Sequence, residues 1–235
     1  MIDYNKIVAW MPHSNTFLPL VKTWGNKALI KDSEKYTDLY VDKLFDFIPN
    51  IIKSDYARHV VDLERYEDNK KETMSKYGLG MLYTKLTNGK DFNRDFTIID
   101  SVLIQYYRNK HEELKGRVER VGDGCLLLDL HSFSKKERFV KVKGKMPDIC
   151  IGYNSFDDLA YDTIDRIEDY CKSVGIKVGF NTPYSGAMTA NTKVNHRSVM
   201  IEVNKDLYLI KNTLKSDYYK VVQHLKNIIE IIQRN

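Results

Sequence analysis

Apolar residues recur along this chain with two distinct periods, and the alternation between them lays out the expected elements. The run from Lys6 to Trp10 reads as a first strand, broken by Pro12 and followed by a polar loop to about Tyr36. Leu39, Val41, Leu44, Phe45 and Ile48 then predict a helix to about Phe47 that Thr37 or Asp38 can cap. A strand is expected over 57–63, a short strand or hairpin over 80–86, and a long helix from about Phe96 to Val118. Through Gly122 and Gly124 that helix leads into 125–130, an almost continuous apolar run of the kind that a strand buried on both faces presents. After a lysine-rich loop over 134–145, strands are expected over 148–152, 176–180 and 199–203, with helices over 157–173 and 217–233. In the last helix Val221, Val222, Leu225, Ile228, Ile229 and Ile232 fall on one stripe. Strands alternating with helices imply an α/β fold: a single domain over 1–235, with a central mixed, largely parallel sheet and helices on both faces.

Composition narrows the function classes. At 43% hydrophobic and 29% charged, with 12 Gly and 5 Pro in 235 residues, the chain is globular, and collagen-like or low-complexity roles are excluded. It is long enough to bury a core without staples. Cys125, Cys150 and Cys171 are odd in number and more than 20 residues apart, so neither a disulfide framework nor a CxxC metal knuckle is expected. A reducing cytoplasm is the natural compartment. Apolar runs such as CLLLDL are far below the ~18 residues that span a bilayer, and MIDYNKIVAW lacks the basic start of a signal peptide, so no membrane role is expected. A net charge of +5 and a pI near 8.8 suit a small anionic partner but not the clustered basic patch of a nucleic-acid binder.

In open α/β sheets ligands bind beyond the carboxyl ends of the strands, which directs attention to the polar residues interrupting each strand's end. Five segments answer: Pro12-His13-Ser14, Asp62-Leu63-Glu64-Arg65, Asp129-Leu130-His131-Ser132, Asn181-Thr182-Pro183-Tyr184 and Glu202-Val203-Asn204. Two histidines and a carboxylate with an open fourth position make the ligand set of a hydrolytic zinc site. His13 and His131 are the histidines, and Asp38 or Asp42, at i and i+4, is the carboxylate. Asp129 shares a strand face with His131 and can orient its imidazole. Glu202 sits inside an apolar strand, where an unpaired carboxylate is costly; its ordinary reading is a buried pair with an arginine such as Arg65. Ordinary roles compete throughout: Asp38 can be a helix cap, and His59, His111, His196 and His224 read as satisfied polar residues. GxxxxGK[ST], GxSxG and HExxH motifs are absent, and Ser132-Phe133-Ser134-Lys135 matches S-x-x-K without its companion motifs.

PHS at 12–14, D-x-x-x-D-x-L-F at 38–45, VVDLER at 60–65, LDLHS at 128–132, MPDICIG at 146–152, NTPYSG at 181–186 and IEVNKDLY at 201–208 occur in one order over about 200 residues. In this the chain resembles the N-formylglutamate amidohydrolase family, similar in fold to the zinc carboxypeptidases and aspartoacylases. The resemblance implies a mixed eight-stranded sheet and one catalytic zinc held by His13, His131 and the Asp38/Asp42 element, with Glu202 as general base and Arg65 meeting an anionic substrate group. Two departures stand out: the family's D-L-N-R reads Asp62-Leu63-Glu64-Arg65, and PHSG reads PHSN with Asn15. The expectation is a zinc-dependent amidohydrolase of a small anionic N-acyl amino acid, with Arg65 and Arg197 anchoring the substrate and Asn181, Tyr184 and Ser185 lining the pocket. Alternatives are a metallopeptidase or cell-wall amidase on a larger substrate, and a binding module that keeps the fold without turnover.

Overall fold

Central strands form where the apolar runs are longest. The computed structural model describes residues 1–19, 27–94, 96–135 and 146–234. Strands β1 (Ile7–Met11), β2 (Ile51–Lys53), β3 (Cys125–Phe133), β4 (Ile149–Tyr153), β5 (Val178–Phe180) and β6 (His196–Asn204) build one six-stranded sheet in the order β2-β1-β3-β6-β4-β5. All neighbours run parallel except β4 and β6. The resemblance implied eight strands; the other two, β7 (Leu209–Ile210) and β8 (Thr213–Leu214), pair with one another instead. They close on Lys211 and Asn212, both at positive φ, which is the geometry of a tight two-residue hairpin.

The sheet's two faces differ in chemistry, and strand periodicity assigns residues to each. Leu126, Leu128 and Leu130 of β3 join Val199, Ile201 and Val203 of β6 in the larger core. Against it pack α2 (Val41–Leu44), α4 (Tyr161–Ser173), the single turn α5 (Lys205–Tyr208) through Tyr208, and α6 (Tyr219–Gln233), the last through the predicted stripe. On the opposite face Val8, Trp10, Cys125 and Leu127 pack under α3 (Asp100–Val121). Helices thus cover both faces. Beyond Leu127 that second face turns polar, with Asp129 and His131 on β3 and Glu202 on β6. Among the described residues no helix is long and apolar enough to cross a membrane.

Several expectations are corrected. A helix, α1 (Lys27–Tyr36), lies within the expected loop before Tyr36; its segment KALIKDSEKY buries only Leu29 and Ser33, too few to show a stripe. The helix expected to Phe47 is the single turn Val41–Leu44, because Tyr40 enters it at φ 61 and Asp38 turns inward instead of capping. No strand forms over 57–63: the second strand is Ile51–Lys53, and Ala57, Val60, Val61 and Leu63 are buried from a series of turns. Over 80–86 the only pairing is an isolated bridge from Lys85 to Asp91. Of the lysine-rich loop, 136–145 lie outside the described residues. The remaining elements appear with ends displaced by a few residues, α3 reaching Gly122, whose φ of 79 ends it.

Leu128 is fully buried at the middle of the central strand. Leu128→Ala is expected to lower unfolding free energy by about 3 kcal/mol, read from urea denaturation, since a cavity there is hemmed in by sheet and helix.

Candidate active site

Three backbone devices bring the polar residues to one place. The chain turns after β1, and the His13 carbonyl accepts the Asp38 N–H at 2.9 Å, locking the segment after α1 against the loop. On adjacent parallel strands His131 stands opposite Glu202, so both side chains leave the same face side by side. The turn segment carrying Asp62, Glu64 and Arg65 is fixed by the Asp62 N–H on the Met81 carbonyl, at 2.8 Å.

Asp38 lies between the two imidazoles. Its Oδ2 is 3.2 Å from His131 Nδ1 and 3.9 Å from His13 Nδ1, and Oδ1 accepts from Ser132 Oγ at 3.2 Å. The two rings are 5.1 Å apart between centroids. Each imidazole is held from behind by its other nitrogen: His13 Nε2 meets Asp62 Oδ1 and His131 Nε2 meets Asp129 Oδ1, both at 2.8 Å. An ionised carboxylate can only accept, so each Nε2 donates to its rear carboxylate; His13 Nδ1 keeps its lone pair toward Asp38, and His131 Nδ1 donates to Asp38 Oδ2 at 3.2 Å, a proton that a metal ion bound between them would displace. Three buried electron-pair donors, all within 4.8 Å of one another, therefore converge on one point. This is the donor set and the rear support of a metal-binding histidine pair. Glu64, Asp129 and His131 Nε2 form a second such grouping on the far side of the His131 ring.

Burial and charge tune the titrating groups. Burial and the Arg58 charge depress the His13 pKa. Burial alone would depress His131 too, yet the carboxylates of Glu64, Asp129 and Asp38 hold it well above its ordinary value. Burial raises Asp129 to about 6 with help from Glu64, whereas Glu64, despite burial, is held at about 2 by His131 and His13. Glu202 is pushed up to about 8, chiefly by burial, with His131 opposing and the Asp38, Asp129 and Glu64 carboxylates adding to it. Its buried Oε2 has no hydrogen-bond partner. The alternative pairing with Arg65 is not formed: Arg65 Nε lies 3.7 Å from Asp62 Oδ2, is itself buried, and has no hydrogen-bond partner.

A cavity of about 410 Å³ takes in His13, Asp38, His131, Glu202, Arg65 and Tyr184, and Ser185 reaches it as well. Three expected residues are not part of it. Asp42, one helical turn beyond Asp38, points to the surface and sits 3.7 Å from Lys53 Nζ. Arg197 is at the opposite end of β6, opposite Leu126, and donates to the Ile232 carbonyl. Asn181, at φ 48, spends its amide on Tyr153 and Gly186, which shapes the turn that carries Tyr184 and Ser185 inward. The four histidines read as ordinary have partners elsewhere: Asp32 for His59, the Leu63 carbonyl for His111, the Val194 carbonyl for His196 and Tyr170 for His224.

Residues to which the sequence analysis gave no individual role complete the site. Asp62 Oδ2 accepts from Arg58 Nη2 and from Tyr83 Oη, both at 2.9 Å, and Arg58 Nε donates to Tyr83 Oη at 3.1 Å. Asp62 carried a readable signal, a carboxylate inside the apolar run VVDL; Arg58 and Tyr83 carried none. Glu64, the departure from the family pattern, bridges Trp10 Nε1 and His131 Nε2, each at 3.2 Å.

The family model described as N-formylglutamate amidohydrolase matches residues 5–209. A crystal structure of N-formylglutamate amidohydrolase from Ralstonia eutropha JMP134 superposes with a TM-score of 0.76 at 18% identity, covering 97% of this chain and 93% of that one. The crystal structure of a gene product from Agrobacterium tumefaciens gives 0.64 at 14% identity, covering 99% and 92%. No curated protein matches significantly.

Burial alone would raise the Asp62 pKa, but Arg58, His13 and Arg65 hold it well below the ordinary carboxylate range. Its contribution to stability is therefore complete above the unfolded value of about 3.9 and lost as pH falls through the folded one. Asp62→Ala, which leaves Arg58 buried without its carboxylate, is expected to cost about 3–5 kcal/mol at pH 7, read by urea denaturation. That deficit is expected to shrink as the comparison is repeated below pH 4.

Proposed function

This chain belongs to the N-formylglutamate amidohydrolase family, and from that premise we propose that it is a zinc-dependent hydrolase of the linear amide bond of a small, anionic N-acyl amino acid. The observation that carries this reading is the convergence of His13 Nδ1, His131 Nδ1 and Asp38 Oδ2, with each imidazole braced from behind by a buried carboxylate. Two imidazoles and one carboxylate suit zinc and leave a fourth position for water or substrate. Zinc bound there supplies a Lewis acid for the scissile carbonyl and acidifies the attacking water.

The chain's own groups do the rest. Glu202 lines the same cavity with a free oxygen, and it takes the proton from the attacking water. As the carbon–nitrogen bond breaks, the same carboxyl returns that proton to the departing amine, so the products are a carboxylic acid and a free amine. A dication among its neighbours would draw the Glu202 pKa down from about 8, favouring the ionised form that a base requires. Arg65, whose side chain lines the cavity, receives the negative group of the substrate. Tyr184 and Ser185 close the wall beside it.

One tightly held zinc per chain is expected in a washed preparation, and His131→Ala should lose it, because two protein ligands hold the ion too weakly. Stoichiometric metal in that variant would remove His131 from the ligand set. Glu202→Gln should keep the zinc and the melting temperature while lowering single-turnover rate by roughly 10²–10⁴-fold, since the amide keeps the shape but cannot take a proton. A destabilised yet fully active Glu202→Gln protein would overturn the mechanism.

A further inference from the structure

Beside the candidate site lies a second and larger cavity, of about 760 Å³, between α3 and the 185–191 segment. The two cavities adjoin across one wall, sharing Glu64, Arg65, Ser185 and Met200. Pockets of a few hundred Å³ already enclose small ligands, so a single N-acyl amino acid is accommodated by the first cavity and leaves the second unused. We propose that the second cavity binds a peptide arm on the amine side of the scissile bond, making the preferred substrate an N-acylated peptide of two or more residues. This inference rests on reading the adjoining site as an amide hydrolase.

Three observations point to a peptide. Arg65 stands at the junction, where the carboxylate of a single amino acid or the first peptide carbonyl of a longer one meets the same guanidinium. The lining mixes Tyr66, Tyr107 and Met188 with Glu112, Lys115 and Asn191, and a fatty acyl chain would strip water from those charged and polar groups without returning a hydrogen bond. Along the cavity's other side, among the described residues, the Thr189 amide and the Met188 and Thr189 carbonyls have no hydrogen-bond partner. A run of free backbone donors and acceptors is what an extended peptide pairs with.

Hydrolysis of N-formylalanine, N-formyl-dialanine and N-formyl-trialanine by the zinc-loaded protein tests this, alongside calorimetric binding of the unacylated alanine, dialanine and trialanine. The kcat/KM is expected to rise at least tenfold from one residue to two, with affinity for the free peptides rising in the same order. Thr189→Trp, a change at an exposed position lining only the second cavity, should lower the dipeptide-to-monomer ratio of kcat/KM about tenfold. Equal kcat/KM across the series with an unchanged ratio in the variant overturns the peptide arm while amide hydrolysis stands. No hydrolysis of any member, with length-dependent binding retained, overturns the hydrolase reading and keeps the cavity's ligand class. Loss of both turnover and length-dependent binding overturns the arm as well.

Discussion

Asp62 is fully buried, and an ionised carboxylate left unpaired there would cost several kcal/mol. Its two oxygens are instead shared among His13, Arg58, Tyr83 and the Glu64 amide. Satisfying that one carboxylate fixes the His13 tautomer, the Arg58 position and the start of the Glu64-Arg65 pair together. The histidine's other nitrogen then has a single direction left to it, toward Asp38. The polar edge of the sheet is thus set by how buried charges are balanced, while the apolar face beneath supplies the rigidity that makes the balance worth holding.

The same constraint explains why the segment from 54 to 94 stays ordered with almost no regular structure. Its buried backbone cannot use a sheet ladder, so side chains take over the hydrogen bonding. Arg94 donates to the carbonyls of His59, Val60 and Tyr83. Asp32 on α1 accepts from His59 and from both the amide and the hydroxyl of Thr87. Those anchors hold Tyr83 and Arg58 behind Asp62, so residues distant from the cavity set its geometry.

What could be read from the sequence follows from this division. Strands β3 and β6, helix α6 and the convergence of His13 and His131 were legible because periodicity and interrupted apolar runs report burial directly, as at Leu126, Leu128 and Leu130 beside Asp129 and His131. The 57–63 segment misled because burial by turns and burial by strand give the same apolar letters. Asp38 and Asp42 were equivalent by spacing; only the positive φ of Tyr40 and the Asp38 N–H bond to the His13 carbonyl separate them. Arg58 and Tyr83 were silent, since their role depends on a carboxylate met only in three dimensions.

Glu64 shows how a departure from a family pattern is absorbed. A glutamate next to Arg65 would repel an anionic substrate if its carboxylate faced the guanidinium's side of the cavity. Its oxygens are turned instead to the Trp10 indole and to His131 Nε2, where it stands beside Asp129. Only one Nε2 proton serves those two carboxylates; burial, with the Glu64 charge, raises Asp129 to about 6, while His131 and His13 hold Glu64 at about 2. The added negative charge therefore acts first on the imidazole, helping to hold the His131 pKa well above its ordinary value. Arg65 forms no ion pair with Glu64 among the described residues, and its side chain remains on the cavity wall.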